Sequence, residues 1–101
     1  MTKFLILWHK SVIPEDPEKM AKHNLALLEP VKAALKSGDF KDWGVYSDGS
    51  NGYAIAEGTE SEIFAGLLRW MPYILFDVHP IVNADQAIEA NTKLLAESKP
   101  K

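Results

Sequence analysis

Apolar residues recur along this chain in two rhythms, and the switches between them mark out strands and helices. Lys3 to His9 is a short apolar run closed by polar residues, the pattern of a central strand buried on both faces. Asp16 then stands where it can cap a helix, with Pro17 at the first helical position and Glu18 in the first turn. Met20, Leu27, Leu28, Val31, Ala34 and Leu35 follow at helical spacing, and Gly38 ends the stretch. Pro30 predicts a kink or break, because it lacks an amide donor and crowds the preceding turn. Trp43 to Ser47 and Tyr53 to Glu57 read as two strands joined by the turn-forming DGSNG, and so as a hairpin. Thr59 and Glu62 have the spacing of a capping box, ahead of a helix with Ile63, Phe64, Leu67 and Leu68 on one face and Pro72 as its stop. Leu75 to Val82 supplies a fourth strand. Asn83 and Gln86 repeat the cap before a last helix that carries Ile88, Asn91, Leu94 and Leu95 on one side.

Strand, helix, strand, strand, helix, strand, helix is an α+β order. It predicts a ferredoxin-like βαββαβ arrangement, a four-stranded antiparallel sheet with an extra C-terminal helix. Right-handed crossovers place strands one and three at the centre, strand four beside one and strand two beside three. Residues 1–97 form a single domain in this scheme, and 98–101 a flexible tail. A chain of 101 residues can bury roughly 65% of the surface it exposes when unfolded, enough for a domain to fold alone.

Composition narrows the function classes. Apolar residues make up 47% and charged residues 25%, which excludes a disordered or fibrous chain. The net charge of −3 and the scattering of the basic residues argue against a nucleic-acid partner, since phosphate binding needs clustered Lys and Arg. Without cysteine there is no disulfide framework, thiolate nucleophile or cysteine-held metal. No apolar stretch reaches the roughly 18 residues of a membrane helix, and the N-terminal run reads as a strand rather than a leader, so no membrane role and a cytoplasmic location are expected.

Alternation along the strands sorts their side chains onto two faces. Phe4, Ile6 and Trp8, with Ala54, Ala56, Phe76, Val78 and Val82, suit packing against the helices. The other face then holds Leu5, Leu7, His9, Tyr53, Ile55, Glu57, Asp77, His79 and Ile81, together with Val45. Such an apolar face is larger than a monomer usually exposes, and a second copy of the chain on a two-fold axis is the commonest cover. A homodimer is expected.

With GYAIAEG as strand three and FDVHPIV as strand four, followed directly by a short helix, the chain resembles a small bacterial and archaeal family of the dimeric α/β-barrel superfamily. The resemblance covers nearly the whole chain. It implies a homodimeric barrel with ligand pockets between sheet and helices. The superfamily includes muconolactone isomerases, small cofactor-free monooxygenases and haem-degrading enzymes, but membership does not transfer an activity. The asparagine, tryptophan and histidine pattern of the haem-degrading members is absent, and no cofactor is expected.

The candidate chemistry lies in His9, Glu57 and Asp77. With strands one and three taken as parallel, His9 and Glu57 fall at one sheet end, where strand four begins near Asp77. A histidine oriented by carboxylates is a general acid/base unit suited to proton transfer on a small organic acid or aromatic. The plainer alternative is that the three residues terminate strands and pair at the rim. His79, next to the edge-favouring Pro80, can touch a ligand or, preferably, the partner subunit. His23, among polar residues, reads as solvated.

A metal held by His9, His79, Glu57 and Asp77 is conceivable, but nothing in their spacing calls for one, and no metal is expected. No phosphate-cradling loop, nucleophile elbow or dinucleotide fingerprint occurs. Trp8, Trp43, Trp70 and Tyr46 can line an aromatic-binding pocket or simply fill the core. Trp43, Tyr53 and His79 are the candidate ligand contacts. The expected function is binding of a small aromatic or carboxylated molecule, with isomerase or cofactor-free oxygenase chemistry as one outcome. A non-enzymatic dimerisation or ligand-sensing module is the alternative, and whether the protein is an enzyme is left undecided by the sequence.

Overall fold

The computed structural model describes residues 2–11 and 13–98, and it is an α+β fold built on one open antiparallel sheet. The strands are β1 (Thr2–Lys10), β2 (Phe40–Val45), β3 (Asn51–Gly58) and β4 (Ile74–Ile81). The helices are α1 (Pro17–Ser37), α2 (Glu60–Leu67) and α3 (Ala84–Ser98), with a 3-10 turn at Leu68–Trp70. Residues 99–101, most of the expected tail, lie outside the described residues.

Local chemistry accounts for the helix ends. Asp16 Oδ1 accepts the Glu18 amide at 2.8 Å, and Gly38 closes α1 with a φ of 87° that a side chain would disfavour. At α2 the Thr59 hydroxyl accepts the Glu62 amide while Glu62 Oε1 accepts the Thr59 amide, a complete capping box. That backbone N–H holds the Glu62 carboxyl below its ordinary range. Asn83 and Gln86 make the same reciprocal pair at α3, both at 2.8 Å. α1 continues through Pro30 without the anticipated break. Val31 and Ala34, just past the proline, are buried in the core, and that packing holds the helix together where its own ladder lacks a donor.

In the sheet the strands stand in the order β2-β3-β1-β4, and every neighbouring pair is antiparallel. The parallel relation assumed between β1 and β3 is therefore corrected. The crossover through α1 makes β2 parallel to β1, and the tight turn after β2 reverses the chain, so β3 runs against both. His9 accordingly faces Asn51, while Glu57 faces Lys3 at the opposite end of the sheet.

The helix-covered face carries the core. Phe4, Ile6 and Trp8 of β1 and Ala54 and Ala56 of β3 pack with Val31 and Ala34 of α1, Ile63 and Leu67 of α2, and Phe40, Trp70 and Ile74. Ala54 and Ala56 give the helices close access to the sheet, as their size predicts. β2 starts at Phe40, earlier than expected, and a bulge between Phe40 and Asp42 resets its alternation. Val45, opposite Gly52, consequently lies on the helix side and not on the open face. Phe64 and Leu68, expected on the buried stripe of α2, are exposed: the buried row is Ile63 and Leu67, four residues apart, and Phe64 and Leu68 each stand one residue round the helix from it, while Trp70 in the 3-10 turn reaches the core. Val78 and Val82 are exposed as well, at the edge strand and just beyond its end.

α3 buries no residue, and Ile88, Leu94 and Leu95 are about 60% exposed. The molecule measures 69 × 26 × 20 Å with a radius of gyration of 18.0 Å. A compact chain of this length has a radius near 13 Å.

Candidate functional site

The sheet separates two groups of candidate residues. On its open face, Lys3, Glu57 and Ile81 share one row, Leu5, Ile55 and His79 the next, Leu7, Tyr53 and Asp77 the third, and His9, Asn51 and Leu75 the last. His9 Nε2 lies 2.9 Å from Asp77 Oδ2, a diagonal contact between β1 and β4. Both side chains are largely open to water, at 44% and 62% exposure, so the carboxylate orients the ring without desolvating it. Glu57 joins Lys3 instead, at 4.0 Å, and is not part of the same group. Two of the three expected acid/base residues are thus together and the third is remote.

The Tyr53 hydroxyl donates to Asp42 Oδ2 at 2.8 Å, and that hydrogen bond raises the phenol above its ordinary pKa. His79 is exposed opposite Leu5. Among the described residues, no three histidine or acidic side chains gather closely enough to hold a metal ion.

The other face holds a cavity of about 250 Å³ between α1 and the sheet. Its walls come from β1 (Trp8, Lys10), α1 (Asn24, Leu27, Leu28, Val31), β2 with β3 (Phe40, Trp43, Val45, Ala54), and Trp70, Ile74 and Phe76. Trp8 and Trp43 stack with ring centres 5.6 Å apart and planes at 9°. Phe40 stacks on Trp70 at 5.4 Å, and Phe76 meets Trp70 edge-on at 6.4 Å. Trp70 Nε1 donates to the Leu27 carbonyl at 3.1 Å, which fixes its ring against α1. Three of the four aromatic residues considered from the sequence, Trp8, Trp43 and Trp70, therefore do line one cavity, whereas Tyr46 is exposed and outside it.

Of the expected ligand contacts, Trp43 lies in this wall, while Tyr53 and His79 are on the far side of the sheet. Trp43 is within β2 and opposite Ala54, not at the strand's start beside His9. Lys10 and Asn24 were missed. Lys10 continues the helix-facing series Phe4, Ile6, Trp8, and Asn24 precedes Leu27, Val31 and Ala34 on the inner stripe of α1, so strand alternation and helix period would have found both. His23 is not the solvated side chain expected. It is half-buried, edge-on to Tyr73 at 5.4 Å, with its Nε2 enclosed and without a hydrogen-bond partner among the described residues.

An aromatic-walled cavity between a helix and an open antiparallel sheet, with an apolar opposite face, places the chain among small α+β domains built around a single sheet. Residues 2–95 match the family described as Domain of unknown function (DUF3303), and the chain belongs to that family. No curated protein matches it in sequence. Among the described residues, no helix is long and apolar enough to cross a membrane.

Proposed function

We propose that this protein binds a small aromatic molecule in the cavity between α1 and the sheet, as one subunit of a homodimer. The observation that carries the proposal is the lining itself: Trp8, Phe40, Trp43, Trp70 and Phe76 surround about 250 Å³ of space that their own packing leaves unfilled. The space opens to solvent along one side, where Leu28 and Val45 are exposed, so it is a cleft that a ligand can enter, and an apolar cavity of about 150 Å³ already accepts benzene. The volume suits one substituted ring or a fused pair, somewhat below the range for drug-sized ligands. The resemblance to dimeric α/β barrels, whose pockets lie between sheet and helices, points the same way.

The binding experiment is a titration of tryptophan fluorescence with 2-naphthoate. Trp43→Ala should weaken the complex roughly tenfold, the cost of one lost aromatic contact. His9→Ala, across the sheet, should leave affinity unchanged. The reverse pattern would move the ligand to the open face.

Dimerisation is supported by two uncovered apolar surfaces on the same chain. Leu5, Leu7, Tyr53, Ile55 and Ile81, half-buried among one another on the face that no helix covers, form one, and the exposed stripe Ile88, Leu94, Leu95 of α3 the other. Sedimentation at micromolar concentration should give twice the chain mass, shifting to one chain mass for Leu7→Asp. A wild-type particle of one chain mass would refute the dimer.

A second reading rests on the His9–Asp77 hydrogen bond: an acid/base pair working on a molecule enclosed where the open face meets its partner. It predicts loss of turnover, not of cavity binding, in His9→Ala. Among the described residues, the cavity wall has Lys10 as its one ionisable side chain, so a binding or ligand-sensing role follows from it more directly than proton-transfer catalysis.

A further inference from the structure

We infer that Lys10 makes the cavity selective for aromatic molecules bearing a single carboxylate; the inference rests on the binding role proposed above. The wall residues other than Lys10 and Asn24 are apolar or aromatic. Lys10 is the last residue of β1 and faces the helix side, in series with the buried Phe4, Ile6 and Trp8. Its neighbour on β4 is the buried Ile74.

The position of its ammonium is set by the β2–β3 turn. Lys10 Nζ donates to the Gly49 carbonyl at 3.1 Å. That turn is itself fixed by the Gly49 amide on Tyr46 O at 2.7 Å and by Asp48, whose carboxylate accepts the Ser50 amide and hydroxyl. An ammonium has three donors, and the carbonyl takes one. None of the ion pairs among the described residues uses Lys10, so its charge is not neutralised by a carboxylate of the chain. Beside a wall this apolar, a single cation favours a ligand with a single negative charge, and a charge-assisted hydrogen bond is about twice as strong as a neutral one. Asn24, from α1, adds an amide that can donate to the same carboxylate or accept from a ring hydroxyl. A dianionic phosphate would find one cation for two charges and little polar wall.

The test compares 2-naphthoate with its neutral, near-isosteric amide, 2-naphthamide, on wild-type protein, Lys10→Met and Lys10→Arg. Wild type should bind the acid roughly tenfold or more tightly than the amide, as expected for one hydrogen bond to a charged group. That preference should shrink with added salt. Lys10→Met should lose the preference by weakening the acid alone, and Lys10→Arg should keep most of it. Equal binding of acid and amide to wild type, or equal weakening of both by Lys10→Met, overturns the assignment of Lys10 while leaving the cavity as a binding site. Failure of both compounds to bind wild type overturns the assignment and the proposed function together.

Discussion

Gly52→Ala should lower the stability of this protein by about 3 kcal/mol or more, although it adds a single methyl group. A Cβ at Gly52 would come within 2.1 Å of the Gly44 carbonyl oxygen and 2.3 Å of the Trp8 indole. The first is backbone of the adjacent strand, and the second is a ring held against Trp43, so neither can turn aside. Accommodating the methyl means separating β2 from β3 or driving Trp8 out of the core, and a domain of this size has only about 5–15 kcal/mol to lose. Gly66, on α2, is the contrast. A Cβ there meets only the end of the Arg69 side chain at 3.7 Å, so Gly66→Ala should be neutral or stabilising by about 0.5–1 kcal/mol. Urea midpoints read both variants. A Gly52→Ala midpoint within error of wild type would mean that β2 does not lie against β3 as described.

The second large effect is expected at Trp70. This ring is 3% exposed, stacked on Phe40, edge-on to Phe76 and tied to Leu27 through its indole N–H. Arg69 covers it from outside, 5.3 Å from the ring centre, and is held there by Asp39 at 3.6 Å. Trp70→Ala should cost about 3–5 kcal/mol, because the removed volume joins a cavity already present instead of being filled by neighbours. Trp70→Phe retains most of the packing and removes the donor. Its cost should be nearer 1 kcal/mol, the net value of one hydrogen bond, because the Leu27 carbonyl keeps its place in the α1 ladder. A loss below about 1 kcal/mol for Trp70→Ala would show that the ring is not part of the core. Since Trp70 also forms the cavity wall, the Phe variant is the one in which binding can still be read.

Features governed by near neighbours were legible in the sequence. The Thr59–Glu62 and Asn83–Gln86 caps depend on four consecutive residues, and the division of β1 into Phe4, Ile6, Trp8 and Leu5, Leu7, His9 depends on a period of two. Features that join distant segments were less so. The bulge after Phe40 depends on how β2 meets β3, and it moved Val45 to the other face. The direction of β3 relative to β1 follows from a hairpin and a crossover taken together, and treating the central strands as parallel put Glu57 beside His9 when it faces Lys3.

The cavity draws on β1, α1, β2, β3, the 3-10 turn and β4. Its aromatic residues were visible one by one, but no local pattern marks the space they enclose. Lys10 is hidden for a simpler reason: the apolar run of β1 closes at His9, one residue short of the position where the inward series acquires a charge. Ionisable pairs mark the open face, where His9 and Asp77 do meet, whereas the cavity wall is distinguished by its lack of such groups.

The most direct test of the central claim is a crystal structure of the protein with 2-naphthoate bound. The account predicts the ring density between α1 and the sheet, against Trp43 and Trp70, with the carboxylate toward Lys10. Ligand density on the opposite face beside His9 and Asp77, with the space around Trp43 and Trp70 closed by side chains, would contradict it.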